Sequence, residues 1–267
     1  MRDFILRLPH LAEQIFQQLD NKSLAKCREV ERLWQKFIDE RNYPWLRIVN
    51  IPTILQKGNT YMHLAAGCGQ TEMFEIILDE EENKNQKRYD GATAFFVACC
   101  NGHLNIALIL LKKADEFKID LNIKDNYGYT AFYWACLDGH SEIAEMILKN
   151  SSHLKIDLNM KDICGWTAFH RACCNGHSEI AEMIMKNSSD LKIDLNSRDN
   201  YDGTAFHLAC RNGYVRIVDM MIEQSESFEL DLKAEDSDGE TGYHLAKVCG
   251  KTDVVNLIPT KMPSLVV

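Results

Sequence analysis

Cysteine and histidine are the residues of this sequence whose types and spacing could hold a metal ion. The chain has 10 cysteines and 9 histidines. Zinc needs ligands that converge on one point, whereas residues at one phase of a repeat form a row. Four cysteines lie 37 residues apart: Cys99, Cys136, Cys173 and Cys210. This spacing favours small buried side chains over metal ligands, so we expect no metal site.

The histidines also recur in register and do not converge on one centre. A nucleophilic site needs a nucleophile, a base and an orienting group brought together. The sequence contains no Gly-x-Ser-x-Gly elbow, phosphate-binding loop or dinucleotide fingerprint. One phase holds His63, His170, His207 and His244, and another holds His103, His140 and His177. We expect these rings to bond neighbouring backbone, and we expect no catalytic residue, no cofactor and no enzyme activity.

Charge and hydropathy argue against several other classes of protein. The net charge is −9, from 30 basic and 39 acidic residues, and phosphate binding needs concentrated positive charge. Nucleic acid is therefore not an expected partner. No run of about 18 apolar residues predicts a membrane span, and the first residues do not resemble a signal peptide. We expect reduced thiols and a cytoplasmic or nuclear location.

A period of 37 residues organises most of the chain. Threonine, alanine and glycine all keep this spacing, and the threonines are Thr93, Thr130, Thr167, Thr204 and Thr241. An earlier unit precedes them at a spacing of 33 residues, from Thr60 to Thr93. The period predicts six units within residues 58–258, followed by a tail at 259–267. The predicted units are 58–90, 91–127, 128–164, 165–201, 202–238 and 239–258.

Each unit is predicted to contain two helices followed by a protruding hairpin loop. In the third unit, Thr130 can cap the start of the first helix, and Gly139 can end it in the left-handed conformation. The chain is expected to turn back at Gly165 after an extended segment. Helical spacing predicts inward-facing side chains at Phe132, Ala135, Cys136, Ile143, Met146 and Ile147.

The repeating unit resembles the ankyrin repeat. Residues 162–172 match the family pattern Asp-x-x-Gly-x-Thr-Pro-Leu-His-x-Ala, with Ala168 in place of the proline. The resemblance covers about three quarters of the chain and implies an all-α helical solenoid with protruding hairpin loops that binds proteins. Asp202 replaces the turn glycine of the fifth unit, so we expect that hairpin to be reshaped. Four extra residues in each unit are expected to form an extra helical turn or a longer loop.

Residues 4–48 lie outside the period and resemble an F-box. Their apolar residues recur at three and four, which predicts a few short amphipathic helices. The Leu-Pro start and the Val-x-Arg-x-Trp end of that family are matched by Leu8-Pro9 and by residues 30–34. Alternatively, the segment only caps the open end of the solenoid, with residues 49–57 as a short join. The resemblance implies docking onto the adaptor subunit of a cullin–RING ubiquitin ligase through Leu8, Pro9, Ile15, Leu19, Leu24, Val30 and Trp34.

Large aromatic residues stand at the predicted hairpin tips of the middle units. Tyr127 and Tyr201 stand at the tip of the turn, directly before the position of the turn glycine. Tyr129 and Trp166 directly follow the glycine. Exposed turn tips have little structural need for such side chains, whereas protein interfaces use tyrosine and tryptophan as anchors. We therefore expect these four residues to bind a target protein. The alternative is that they pack on the neighbouring hairpin.

Two arginines complete the predicted target-binding set. Arg171 occupies a position of the first helix where its counterparts are apolar, and Arg211 lies near the end of the next first helix. One expectation is that Arg171 stacks on Trp134 of the preceding unit as a cation–π pair. The other is that Arg171 meets an acidic group of the target, where Arg211 could join it.

Two unlike interaction modules without an active-site constellation indicate a substrate receptor of an SCF-type ubiquitin ligase. Its predicted partners are the adaptor subunit and an unidentified target protein. The pairing of modules also resembles effectors that pathogens deliver into host cells. The alternative function is an ankyrin scaffold or sequestering protein that has no role in ubiquitin transfer.

Overall fold

The structure, a computed structural model, describes residues 59–266. Regular structure in this range is helical, apart from one isolated antiparallel bridge between Glu235 and Thr241. The predicted all-α class is therefore confirmed. None of the helices in the described range is long and apolar enough to cross a membrane. The F-box-like segment 4–48, its predicted adaptor-binding residues and the join at 49–57 lie outside the described residues.

The chain divides into two compact regions at residues 94 and 95, which we call the N-terminal and C-terminal regions to distinguish them from the repeat units. In the N-terminal region, α1 (Tyr61–Cys68) packs against α2 (Thr71–Glu80). The hydroxyl of Thr60 caps α1 by accepting the His63 backbone N–H at 3.4 Å. Gly69 ends α1 in the left-handed conformation with a φ of 70°. Helix α1 therefore begins at a threonine cap and ends at a glycine, as the repeat predicts.

The C-terminal region is a stack of helix pairs joined by hairpins. The first helices of successive pairs pack on one another in one layer, and the second helices do so in another layer. This arrangement confirms the predicted helix-pair repeat. The helices that follow α2 are α3 (Ala94–Cys100), α4 (Leu104–Lys112), α5 (Ala114–Phe117), α6 (Ala131–Asp138), α7 (Ser141–Leu154), α8 (Ala168–Asn175), α9 (Ser178–Leu191), α10 (Ala205–Asn212), α11 (Val215–Glu223), α12 (Gly242–Val248) and α13 (Thr252–Lys261).

Local sequence explains where the first helix of each pair begins and ends. The Thr130 hydroxyl accepts the Tyr133 backbone N–H at 3.2 Å, which satisfies one donor at the start of α6. Gly139 ends α6 with a φ of 77°, a conformation that glycine adopts without steric cost. The predicted inward-facing residues are all buried: Phe132, Ala135, Cys136, Ile143, Met146 and Ile147.

In the third and fourth repeat units the four extra residues form an additional helical turn, which is one of the two expected outcomes. Helices α7 and α9 each contain 14 residues, whereas α2 contains 10. Lys155 and Lys192 follow them in the left-handed conformation, each with a φ of 53°. In the last turn of α7, the buried hydroxyl of Ser151 donates to the Leu148 carbonyl at 2.8 Å. The longer helix therefore leaves no unsatisfied hydroxyl at this serine.

The hairpins share a hydrogen-bond pattern built around an aspartate. In the hairpin of residues 162–166, Asp162 Oδ1 accepts the backbone N–H groups of Cys164 and Trp166, both at 2.8 Å. Gly165 makes the turn with a φ of 82°. The aspartate side chain thus holds both sides of the turn.

The fifth unit keeps this pattern although it lacks the turn glycine. Asp202 itself adopts the left-handed conformation with a φ of 60°. The Asp199 N–H donates to the Gly203 carbonyl at 2.9 Å, as the corresponding groups do in the other hairpins. The prediction that this hairpin is reshaped is therefore wrong, because aspartate tolerates the left-handed region at a modest cost.

Asparagines at the 37-residue spacing connect neighbouring units. Asn159 Nδ2 donates to the Lys192 carbonyl at 2.9 Å, and its Oδ1 accepts the Asp194 N–H at 2.9 Å. Asn122 and Asn196 make the same pair of bonds to the unit that follows each of them. Each amide therefore satisfies backbone groups left open where a second helix ends. The sequence patterns did not predict this ladder.

The C-terminal helix is longer than the predicted end of the repeats at residue 258. Helix α13 continues through Pro259 to Lys261. A short 3-10 turn follows at Pro263–Leu265, and Leu265 is buried. Lys261 Nζ lies 3.0 Å from Asp219 Oδ1. The first three residues of the predicted tail 259–267 therefore belong to α13, and Leu265 is the buried residue of the part that follows.

Candidate target-binding surface

Successive hairpin tips of the C-terminal region expose large apolar side chains. The exposed fractions are 57% for Tyr127, 66% for Ile163 and 71% for Tyr201. Backbone bonds join each tip to the next, from Ile163 N–H to the Tyr127 carbonyl at 3.4 Å and from Ser237 N–H to the Tyr201 carbonyl at 2.8 Å. The backbone is held while these side chains stay accessible. We call the four hairpins the hairpin-tip ridge: residues 125–129, 162–166, 199–203 and 236–240.

The two aromatic residues that follow the turn glycine are packed within the stack. Tyr129 stacks on Tyr133, with ring centroids 4.7 Å apart and ring planes 13° apart. Trp166 is half-buried, and its Nε1–H donates to Asp199 Oδ2 of the next hairpin at 2.9 Å. Tyr129 and Trp166 therefore make packing contacts within the chain, which was the alternative to target binding. The two tyrosines at the tips are the ones left open to a partner.

A buried charged cluster links two neighbouring units. The Asp162 side chain is fully buried, and its Oδ2 accepts the hydroxyl of Tyr133. Arg171 Nε donates to the same Tyr133 oxygen, and its Nη2 lies 3.5 Å from Asp162 Oδ2. A buried carboxylate is costly unless it is paired and hydrogen-bonded, and here it has both kinds of partner.

Arg171 does not make the stacking contact that was predicted for it. Its guanidinium lies over the ring of Trp166, 4.2 Å from the centroid, and 5.4 Å from the centroid of Tyr133. The predicted stacking partner, Trp134, instead meets the ring of Tyr129 edge-on at 5.8 Å. The prediction that Arg171 stacks on Trp134 is therefore wrong. The acidic group that Arg171 meets belongs to its own chain.

The structure brings together four of the six predicted target-binding residues. Tyr127 stacks on Tyr129 at 6.0 Å, and contacts through Tyr133 continue this chain of rings to Arg171 and Trp166. Tyr201 lies on the next hairpin tip. Arg211 lies exposed in the last turn of α10, and no contact of the charged cluster includes it.

Burial and pairing set the protonation states in the cluster. Burial raises the pKa of the Tyr133 hydroxyl, and its bond to the Asp162 carboxylate raises it further. Burial alone would lower the pKa of Arg171, but the bond to Tyr133 and the nearby carboxylate hold it above its usual value. Tyr133 therefore remains a neutral donor and Arg171 remains a cation near neutral pH.

Four of the repeated histidines bond the backbone of a neighbouring repeat, as predicted: His63, His140, His177 and His207. His207 Nδ1 accepts the Thr204 N–H at 3.1 Å, so Nε2 carries the proton and donates to the Glu240 carbonyl of the next hairpin at 3.1 Å. Burial lowers the pKa of His63 and of His170 to about 4. These rings are therefore neutral at pH 7 and serve as fixed donors and acceptors.

The repeated cysteines are buried free thiols: Cys99, Cys136, Cys173 and Cys210. Burial raises the pKa of each thiol well above its usual value, so each stays protonated. Within residues 59–266, no three His, Cys, Asp or Glu side chains are grouped so that they could hold a metal ion. These thiols pack as small apolar side chains, which is the role predicted for them.

Two residues of this site were not predicted from the sequence: the buried Tyr133 and the exposed Ile163. Tyr133 stands at the phase that holds His170 in the next unit, and Ile163 stands at the phase that holds Asn200. Each is a departure from its own column of the repeat. Such departures were the available signal, because a residue that breaks the column must make a different contact.

Family comparison agrees with the repeated helix pairs and hairpins. A family model described as Ankyrin repeats (3 copies) matches residues 45–125 and 117–199. A second model, described as Ankyrin repeat, matches residues 201–232. A search of curated proteins found no match. Because the family models match well over half of the chain, the chain belongs to the ankyrin repeat family.

Proposed function

We propose that this ankyrin repeat protein is a substrate receptor of a cullin–RING (SCF-type) ubiquitin ligase. Ankyrin repeats are protein–protein interaction modules, and the repeats of this chain would bind the target protein. The N-terminal segment 4–48 would hold the adaptor subunit. Catalysis then comes from proximity, because holding target lysines near the conjugating enzyme raises their effective concentration. No side chain of this chain needs to form or break a bond.

The observation that carries the target-binding half is the exposure of Tyr127 and Tyr201 on a fixed backbone. Tyrosines are common anchors at the centres of protein interfaces. Backbone bonds between the hairpins order these tips before any partner arrives. Preorganisation lowers the entropic cost of binding, so these tips suit recognition better than mobile loops would.

The adaptor-binding half is supported by the sequence of residues 4–48. Leu8-Pro9 at its start, Leu19, and Val30 and Trp34 at its end match the F-box pattern. A segment of this length is expected to have too small a core to stand alone, so either the repeats or a partner surface would supply the missing burial.

A pull-down with purified adaptor subunit tests this half directly. The full chain should bind the adaptor, and a Leu8→Ala/Pro9→Ala/Leu19→Ala variant should not. The Tyr127→Ala/Tyr201→Ala variant is the control and should bind the adaptor as wild type does. A wild-type chain that fails to bind purified adaptor contradicts the ligase role.

Affinity purification from a eukaryotic lysate, followed by mass spectrometry, tests the target-binding half. Proteins captured by the full chain should be lost with Tyr127→Ala/Tyr201→Ala. Val248→Ala is a matched control, because Val248 is 78% exposed but lies on α12 and outside the hairpin-tip ridge. Capture that survives the tyrosine changes would show that the tips are not the target-binding surface.

A scaffold or sequestering protein remains the alternative function. In that case the target is captured through the tyrosines, and the adaptor does not bind. Deleting residues 1–45 would then change the stability of the repeats and remove no ligase contact. A cytoplasmic or nuclear location is part of the proposal, and imaging of the tagged chain tests it.

A further inference from the structure

The hairpin-tip ridge carries charge of a single sign. Its four hairpins contain seven acidic residues and no lysine, arginine or histidine. The acidic residues are Asp125, Asp162, Asp199, Asp202, Asp236, Asp238 and Glu240. A surface of one sign attracts and orients partners of the opposite sign.

Two of these carboxylates are free to meet a partner. The aspartates that open the hairpins use Oδ1 to hold backbone N–H groups, as Asp199 does with Tyr201 at 2.8 Å. Asp202 and Asp238 are exposed instead, and their carboxylates make no ion pair among the described residues. Asp202 follows the exposed ring of Tyr201 directly. The ridge therefore places an open carboxylate next to an open aromatic face.

The nearest basic side chains are engaged with the chain itself. Lys124 Nζ donates to the Lys161 carbonyl and Lys161 Nζ to the Arg198 carbonyl, each at 2.8 Å. Arg198 Nη1 donates to the Glu235 carbonyl at 2.7 Å. Arg171 is paired with a buried carboxylate and covered by an indole ring. These cations keep their charge, but the four hairpins together with the residue before each of them still hold eight acidic residues against three basic ones. The ridge is therefore net acidic and favours a cationic partner.

We propose that the hairpin-tip ridge binds an extended lysine- and arginine-rich segment of the target protein. This rests on the proposed target-binding function and names the chemistry of the target. The rings of Tyr127 and Tyr201 cover the aliphatic stems of such residues and attract their cations through the ring faces. Asp202 and Asp238 pair with the charged groups. An extended segment fits because the tips follow one another along a single edge.

Titration of the full chain with three labelled peptides of equal length tests this inference. One peptide is rich in lysine and arginine, one is rich in glutamate, and one is neutral and polar. Fluorescence anisotropy should show that the basic peptide binds at least about tenfold more tightly than the other two. Its affinity should fall as salt rises, because exposed charges are screened.

Substitutions locate the binding. Asp202→Asn/Asp238→Asn should weaken binding of the basic peptide about tenfold, and Tyr127→Ala/Tyr201→Ala should do so to a similar extent. Glu142→Gln/Asp190→Asn is the matched control, because it removes the same net charge from exposed positions on α7 and α9. The control should leave the affinity unchanged, and circular dichroism should show that every variant is folded.

Three results would overturn the inference: equal binding of the three peptides, no effect of the ridge substitutions, or an equal effect of the control. Failure here is distinct from failure of the proposed function. If lysate capture depends on the tyrosines but the basic peptide does not bind, target binding stands and this inference fails. If the basic peptide binds the ridge and the adaptor does not bind, this inference stands and the ligase role fails.

Discussion

Two joints between neighbouring repeats make equivalent contacts with different chemistry. In one joint, His207 of α10 donates to the Glu240 carbonyl of the next hairpin. In the other, Tyr133 at the same position of α6 donates to the Asp162 carboxylate. A neutral ring and a carbonyl need no further partner, whereas a buried carboxylate needs compensating charge, which Arg171 supplies. The tyrosine joint therefore combines two departures from the repeat, Tyr133 and Arg171.

Removing the carboxylate of the tyrosine joint should have the largest effect. Asp162→Ala leaves Arg171 without its ion pair in a largely buried position and leaves two backbone N–H groups of the hairpin without an acceptor. Loss of one partner of a buried pair costs about 3–5 kcal/mol of unfolding free energy. Urea denaturation of the full chain measures this loss.

The matched change at the histidine joint is Asp236→Ala. The Asp236 carboxylate also accepts two backbone N–H groups, from Asp238 and Glu240, but has no buried cation beside it. Its removal should cost about 1–2 kcal/mol, the scale of lost hydrogen bonds. If the two alanine variants lose the same stability, the buried ion pair does not distinguish the joints.

The buried histidines should make the stability of the chain sensitive to acid. The pKa of His170 is about 4 in the folded chain and about 6.5 when unfolded, so the unfolded state binds more protons between these values. Stability is therefore present above pH 6.5 and is lost as the pH falls towards 4. His170 should contribute roughly 2–3 kcal/mol to this loss.

Urea denaturation at pH 7 and at pH 4.5 checks this prediction. The stability difference between the two pH values should be smaller in His170→Gln than in wild type, because glutamine does not titrate. Val248→Ala is the control and should keep the wild-type difference, since Val248 is exposed on α12 and carries no titratable group. A His170→Gln chain with the wild-type pH dependence would contradict the assignment.

Removing only the tyrosine hydroxyl should have an intermediate effect. Tyr133→Phe keeps the ring that stacks on Tyr129 but removes the donor to Asp162 and the acceptor of Arg171 Nε. Hydrogen bonds to charged groups contribute about 1.5–3 kcal/mol, and the remaining ion pair should hold the loss near the lower end. A double-mutant cycle with Arg171→Met should show coupling of about 1 kcal/mol, and strict additivity would separate the two residues.

The repeat itself could be predicted because each recurring residue has one local role. Thr130 caps a helix and Gly139 ends one, and neither role depends on a distant neighbour. The partner of Arg171 could not be predicted in the same way. Trp134 lies one repeat before Arg171, whereas Trp166 lies in the same repeat as Arg171. The Tyr133 hydroxyl accepts from Arg171 Nε, and the guanidinium of Arg171 lies over the ring of Trp166.

The sequence placed four aromatic residues in one exposed set, but the structure exposes only the two tyrosines at the tips. Spacing places Tyr127 and Tyr129 on the same hairpin, but it does not show that the chain re-enters the stack after the turn glycine. Tyr127 is therefore exposed while Tyr129 stacks on Tyr133. Exposure depends on which side of the turn a residue stands, and this follows from the hairpin geometry.

The smallest expected effect concerns Asp202. Its replacement by glycine should change the stability of the chain and its affinity for the basic peptide in opposite directions. A residue with a side chain in the left-handed conformation costs roughly 1 kcal/mol relative to glycine, so Asp202→Gly should raise the unfolding free energy by about 0.5–1 kcal/mol.

Gly165→Ala is the opposing control, because its φ is 82° and an added Cβ would lie 2.8 Å from the Asn200 nitrogen. It should destabilise the chain by more than Asp202→Gly stabilises it. Asp202→Gly also removes an open carboxylate beside Tyr201, so it should weaken binding of the basic peptide while urea denaturation shows a gain in stability. Because folding alone favours glycine at this turn, a gain in stability together with a loss of affinity would assign Asp202 to recognition. A loss of both would show that its side chain supports the hairpin.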